Sequence, residues 1–108
     1  MNTEALEQYD DRTLLIVDDD EPFRSRLARA MEVRGFDVAT AATVRDGVAA
    51  VLAKPPAFAV LDLRLSDGSG LEIVSAIQEG RPESRIVMLT GYGNIATAVA
   101  AVKAGALD

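Results

Sequence analysis

Cysteine and histidine are both missing from this sequence. Without cysteine there are no disulfides, and without histidine there is neither imidazole acid–base chemistry nor a zinc site of the usual kind. Any bound metal must be held by oxygen, which points to hard cations such as Mg²⁺. Basic residues are also short: 11 Lys and Arg against 17 Asp and Glu give a formal net charge of −6. A surface that binds phosphate backbones needs a basic face, so this segment is not expected to bind DNA itself. Long hydrophobic runs are lacking too, which excludes a membrane span, and the acidic start lacks a basic-plus-apolar signal pattern. The simplest location is the cytoplasm.

What is present is ordinary for one globular domain: 108 residues, 49% apolar and 26% charged. Residues 1–11 read as a mobile acidic leader, and 12–108 as the domain. Thr13 to Val17 is a compact apolar run, the first predicted strand, and it stops at Asp18-Asp19-Asp20-Glu21. Pro22 suits a first helical turn, with Phe23, Leu27, Ala30 and Met31 at helical spacing and Gly35 as a stop. A short strand is expected over Phe36 to Ala39. Thr43 then caps a helix to Ala53 with Val44, Val48, Val51 and Leu52 inward.

Pro55-Pro56 precedes the apolar stretch Ala57 to Leu61, which ends in Asp62 and reads as a strand buried on both faces. A glycine-bearing loop leads to a helix with Leu71, Val74 and Ile77 inward, closed by Gly80 and Pro82. Arg85 to Thr90 is the fourth strand. Gly91-Tyr92-Gly93 turns, and Asn94 caps a helix through Ala104 with a stop at Gly105. Regular β–α alternation implies a doubly wound parallel sheet with helices on both faces.

Parallel topology brings the carboxyl ends of strands to one sheet edge, where α/β folds build their sites. Asp18-Asp19-Asp20, Asp62 and Thr90 all fall there. Crowded carboxylates raise one another's pKa unless a cation neutralises them, and Mg²⁺ accepts this donor set. Asp62 is then positioned to attack a phosphoryl group and become an aspartyl phosphate, with the Thr90 hydroxyl and nearby backbone N–H groups as donors. Taken singly, these residues have plainer readings: Asp20 and Glu21 suit a helix N-terminus, and Gly68 and Gly70 suit loop geometry rather than a phosphate cradle.

Val17-Asp18-Asp19-Asp20, then Leu61-Asp62-Leu63-Arg64-Leu65, then Leu89-Thr90-Gly91 resembles the receiver domain of bacterial two-component response regulators. The longer runs Val17 to Phe23, Asp62 to Leu65 with Asp67-Gly68, and Leu89 to Val99 resemble the RegA/PrrA/ActR subfamily. The resemblance implies a flavodoxin-like (CheY-like) fold with strand order 2-1-3-4. It also implies Asp62 as phosphoacceptor, Thr90 as switch hydroxyl, and Mg²⁺ held by Asp18, Asp19, Asp62 and the main-chain carbonyl of Arg64. The implied partner is a sensor histidine kinase in redox- or oxygen-linked transcriptional control, with the domain assisting its own phosphorylation rather than acting as an enzyme.

Receiver domains carry a lysine after a fifth strand. Here that strand, the lysine, the last helix and the helix-turn-helix DNA-binding domain are expected beyond Asp108. Lys103 does not match the lysine's motif. Two consequences are expected: weak phosphorylation of this chain, and self-association through the fourth strand or the helix after it. The rival readings are a non-phosphorylated interaction module and an aspartyl-phosphate phosphatase. The second is disfavoured because Arg64 stands where such an enzyme has a second acid.

Overall fold

A computed structural model describes residues 11–89 and 95–107, with side chains as far as Val102. Most of the expected leader, Thr90 and the turn through Asn94 therefore lie outside the described residues. The sequence folds as β1 (Thr13–Val17), α1 (Glu21–Val33), β2 (Asp37–Ala41), α2 (Val44–Ala53), β3 (Phe58–Asp62), α3 (Gly70–Gly80), β4 (Arg85–Leu89) and α4 (Ile95–Leu107). The strands form one parallel sheet in the order β2-β1-β3-β4, as expected.

The period-2 alternation of buried strands feeds two cores. Leu14 and Ile16 of β1 with Phe58 and Val60 of β3 pack under Leu27 and Met31 of α1 and Ala98, Val99 and Val102 of α4. Phe36 meets Phe58 edge to face at 5.2 Å between ring centroids, a favourable aromatic geometry. On the opposite face, Leu15 and Val17 with Ala59 and Leu61 pack under Val44 and Val51 of α2 and Ile73 and Ile77 of α3. All of β3 is buried, as its composition implies.

Several expected details are corrected. The second strand begins one position later and ends two positions later, at Asp37–Ala41, because Asp37 to Ala41 pairs along all of β1. Leu52 and Leu71 are exposed (74% and 57%) rather than inward. The buried stripe of α2 is Val44, Gly47 and Val51, and that of α3 is Gly70, Ile73 and Ile77. Both stripes have helical 3- and 4-residue steps but pass through a glycine, where the helix comes close to its neighbours. A Cβ on Gly47 would lie 3.2 Å from Val17 Cγ2, and one on Gly70 would overlap the Asp62 carbonyl oxygen. These contacts fix each helix's rotation and turn Leu52 and Leu71 outward. Helix α4 also runs through Gly105 to Leu107 instead of stopping there.

Candidate functional site

The site forms because β1 and β3 end within one register position of each other. Their parallel register pairs Val17 with Leu61, so Asp18, just past the end of β1, lies beside Asp62, the last residue of β3. Ligand oxygens of Asp18, Asp19 and Asp62 lie within 4.8 Å of one another. Asp18 and Asp62 are buried polar residues (8% and 9% exposed), whereas Asp19 is exposed.

The acidic triplet divides its work. Asp20 caps α1: its carboxylate accepts the Phe23 N–H at 3.1 Å, and Pro22 falls in the first turn. Asp18 stays with the site, where its Oδ1 accepts the Asp20 N–H at 2.9 Å and its backbone N–H donates to the Ala41 carbonyl. Arg24 reaches back from α1 to donate to the Asp18 carbonyl at 2.8 Å, securing the turn between β1 and α1. Sequence spacing gave no sign of this contact, because it joins a helical side chain to a loop carbonyl.

Asp62 is held in turn by the loop after β3. The Arg64 N–H donates to Asp62 Oδ1 at 3.2 Å, so the main chain of Arg64 lies against the carboxylate while its side chain is exposed. The loop is a short antiparallel hairpin pairing Arg64 with Ser69 and Leu65 with Gly68. Gly68 makes its reversal at φ 155°, a conformation that L side chains rarely adopt. Ser69 then opens α3 with a capping box formed with Glu72. The two loop glycines thus serve chain geometry, as their plainer reading held.

Among the described residues, no ion pair reaches these carboxylates. Burial pushes the Asp62 carboxyl up, with Asp19 adding repulsion and the Arg64 N–H opposing both. Burial also pushes Asp18 up, reinforced by the charges of Asp62, Asp19 and Asp20 and opposed by the Asp20 N–H. Three clustered carboxylate ligands, two of them desolvated, form an all-oxygen donor set suited to a hard divalent cation.

Comparisons with known proteins agree with this geometry. The chain is 64% identical over 98 residues to the photosynthetic apparatus regulatory protein RegA of Cereibacter sphaeroides, covering 91% of this chain and 53% of that protein. It is 61% identical over 98 residues to the acid tolerance regulatory protein ActR of Rhizobium meliloti, covering 91% of this chain and 50% of that protein. The chain therefore spans about half the length of these relatives. Among solved structures, it resembles a response regulator from Burkholderia pseudomallei with a phosphorylated aspartic acid, calcium ion and citrate. That likeness has TM-score 0.71 and 40% identity, over 88% of this chain and 56% of that one. It also resembles the beryllofluoride-activated NtrC4 receiver domain dimer, with TM-score 0.67 and 34% identity over 85% of this chain and 76% of that one. Residues 14–108 match the response regulator receiver domain, and with the parallel 2-1-3-4 sheet and its acidic edge this means that the chain belongs to the response regulator receiver family.

Proposed function

We propose that Asp62 accepts a phosphoryl group from the phosphohistidine of a sensor kinase, and that Asp18, Asp19, Asp62 and the Arg64 main-chain carbonyl hold Mg²⁺. The observation that carries this reading is the convergence of the three carboxylates at one sheet edge. When bound, the cation supplies countercharge to these carboxylates and to the oxygens of the incoming phosphoryl group. A carboxylate oxygen of Asp62 forms the new O–P bond as the P–N bond of phosphohistidine breaks, and the electron pair leaves with the imidazole nitrogen. The Arg64 N–H orients the Asp62 carboxylate for this attack. Asp18, braced by the Asp20 N–H and through its carbonyl by Arg24, presents its carboxylate beside it.

Thr90 follows Leu89, which pairs in register with Asp62, and this supports its role as the switch hydroxyl. A charge change at Asp62 then biases β4 and α4, a local electrostatic event read by a neighbouring element. On this reading residues 12–108 are the receiver module of a cytoplasmic transcription regulator that acts on DNA through a separate domain, in redox- or oxygen-linked control. The RegA relatives are named photosynthetic apparatus regulatory proteins, which supports a regulatory role. The module assists its own phosphorylation and is not otherwise an enzyme. Self-association through β4 is supported by its place at the edge of the described sheet and by the NtrC4 dimer.

Intact-mass analysis after incubation with a small acyl-phosphate donor tests the reading. Wild type is expected to gain a phosphoryl group on only a small fraction of molecules, and only with Mg²⁺ present, and Asp62→Asn none. Labelling that persists in Asp62→Asn, or that ignores Mg²⁺, would overturn it.

A further inference from the structure

Helix α2 has its own N-cap: Thr43 Oγ accepts the Asp46 N–H at 3.0 Å. A second group nevertheless binds the same turn from 22 and 23 residues away, for the Asp67 carboxylate accepts the Val44 N–H at 2.8 Å and the Arg45 N–H at 3.1 Å. Asp67 lies in the exposed turn of the hairpin that follows Asp62. The Gly68 side of that turn also abuts α2, since a Cβ there would come within 3.4 Å of Val44 Cγ2. The two backbone N–H groups hold the Asp67 carboxyl below its usual range, so the clasp is made by the ionised form at neutral pH.

We propose that Asp67 is a positioning residue for the acidic site, clasping the hairpin to α2 so that the Arg64 main chain is held against the Asp62 carboxylate. The inference rests on the reading of Asp62 as phosphoacceptor and cation ligand. The connection is short and continuous. Asp67 fixes the turn, the pairing of Leu65 with Gly68 and of Arg64 with Ser69 carries that position back, and the Arg64 N–H ends on Asp62 Oδ1. Leu65 is buried and anchors one side of the hairpin, and the Ser69–Glu72 capping box anchors the other. Between those anchors Ser66, Asp67 and Gly68 are exposed, and the Asp67 bonds tie this turn to a neighbouring element. Groups outside the ligand shell that orient it commonly change metal affinity by about 10–100-fold when removed.

The competing explanation is that Asp67 only caps α2, and a matched pair of variants separates the two. Thr43→Ala removes a cap from the same helix and leaves the hairpin tie intact, whereas Asp67→Ala removes the tie. Mg²⁺ affinity by titration calorimetry and melting temperature in chelator are measured for both. Asp67→Ala is expected to weaken Mg²⁺ binding about tenfold. Thr43→Ala is expected to lower the melting temperature and leave Mg²⁺ affinity at the wild-type value. Asp67→Asn, which keeps one acceptor oxygen, falls between wild type and Asp67→Ala and guards against a folding defect. Equal Mg²⁺ affinity in wild type, Asp67→Asn and Asp67→Ala would overturn the proposal. Asp62→Asn is the separate control: Mg²⁺ binding there equal to wild type would overturn the reading of Asp62 as a cation ligand on which the proposal rests, whatever Asp67 does.

Discussion

Replacing Asp62 by Asn in the cation-free protein is expected to stabilise the fold, although it removes the proposed phosphoacceptor. Ligand oxygens of Asp18, Asp19 and Asp62 lie within 4.8 Å of one another. At an effective dielectric of about 20, each charged pair at that separation repels by roughly 3 kcal/mol. Asp19 is exposed, so solvent and salt screen much of its share. Asn retains a carbonyl oxygen for the Arg64 N–H and leaves that bond in place. The net gain is therefore about 1–2 kcal/mol, or about 4–8 °C in melting temperature for a domain of this size.

The pH dependence follows from the direction of the shifts. The folded state raises the Asp62 and Asp18 carboxyls above their ordinary value of 3.8, so it binds protons more tightly than the unfolded chain. Their destabilising contribution is absent below that value and grows as pH rises through the raised one. Melts followed by circular dichroism in chelator should thus show Asp62→Asn ahead of wild type at pH 7.5 and the gap closing toward pH 4. Added Mg²⁺ should raise the wild-type melting temperature well above its effect on Asp62→Asn. A variant no more stable than wild type in chelator at neutral pH would refute the reasoning, as would equal stabilisation of both proteins by Mg²⁺.

Two other perturbations probe the supports of the site. Gly70→Ala places a Cβ against the Asp62 carbonyl oxygen, and neither backbone can yield cheaply; a loss of about 1–3 kcal/mol in chemical denaturation, together with weaker Mg²⁺ binding, is expected. A fully stable Gly70→Ala with normal Mg²⁺ affinity would show that α3 does not seat against β3 in this way. At the opposite end of the sheet, Asp11 pairs with Arg81 at 2.5 Å, and Arg81, with the Thr13 N–H, lowers the Asp11 carboxyl to about 2. Its contribution is present above the ordinary carboxylate range and is lost as pH falls toward that value. Asp11→Asn should cost about 0.5 kcal/mol at pH 7, given the pair's exposure, and clearly less near pH 2, where the folded carboxyl is about half protonated; a constant difference across that range would contradict the assignment.

Much of the molecule was legible because its signals are local. Strands β1 and β3 are unbroken apolar runs, and Pro22, Thr43 and Gly80 mark helix ends through backbone chemistry that needs no tertiary partner. Asp18, Asp19 and Asp62 could be placed at one edge because parallel topology aligns strand ends, and the register then sets Asp18 beside Asp62. The outward turn of Leu52 and Leu71 was not legible. Counting large apolar residues misses a glycine, and it is through Gly47 and Gly70 that these helices touch their neighbours.

By itself the sequence determined the alternation of elements, the strand order through its family motifs, and the carboxylates that make the site. Those depend on residue type and spacing within one element or at its end. The tertiary structure supplied the bonds behind the division of the acidic triplet already readable in the sequence, with Asp20 accepting the Phe23 N–H while Asp18 and Asp19 converge with Asp62. It also decided that Arg24 braces Asp18 and that Asp67 ties the hairpin to α2. Such bonds join a side chain to a backbone group on a different element. Their partners are set by how the chain packs, and no periodicity along it records them.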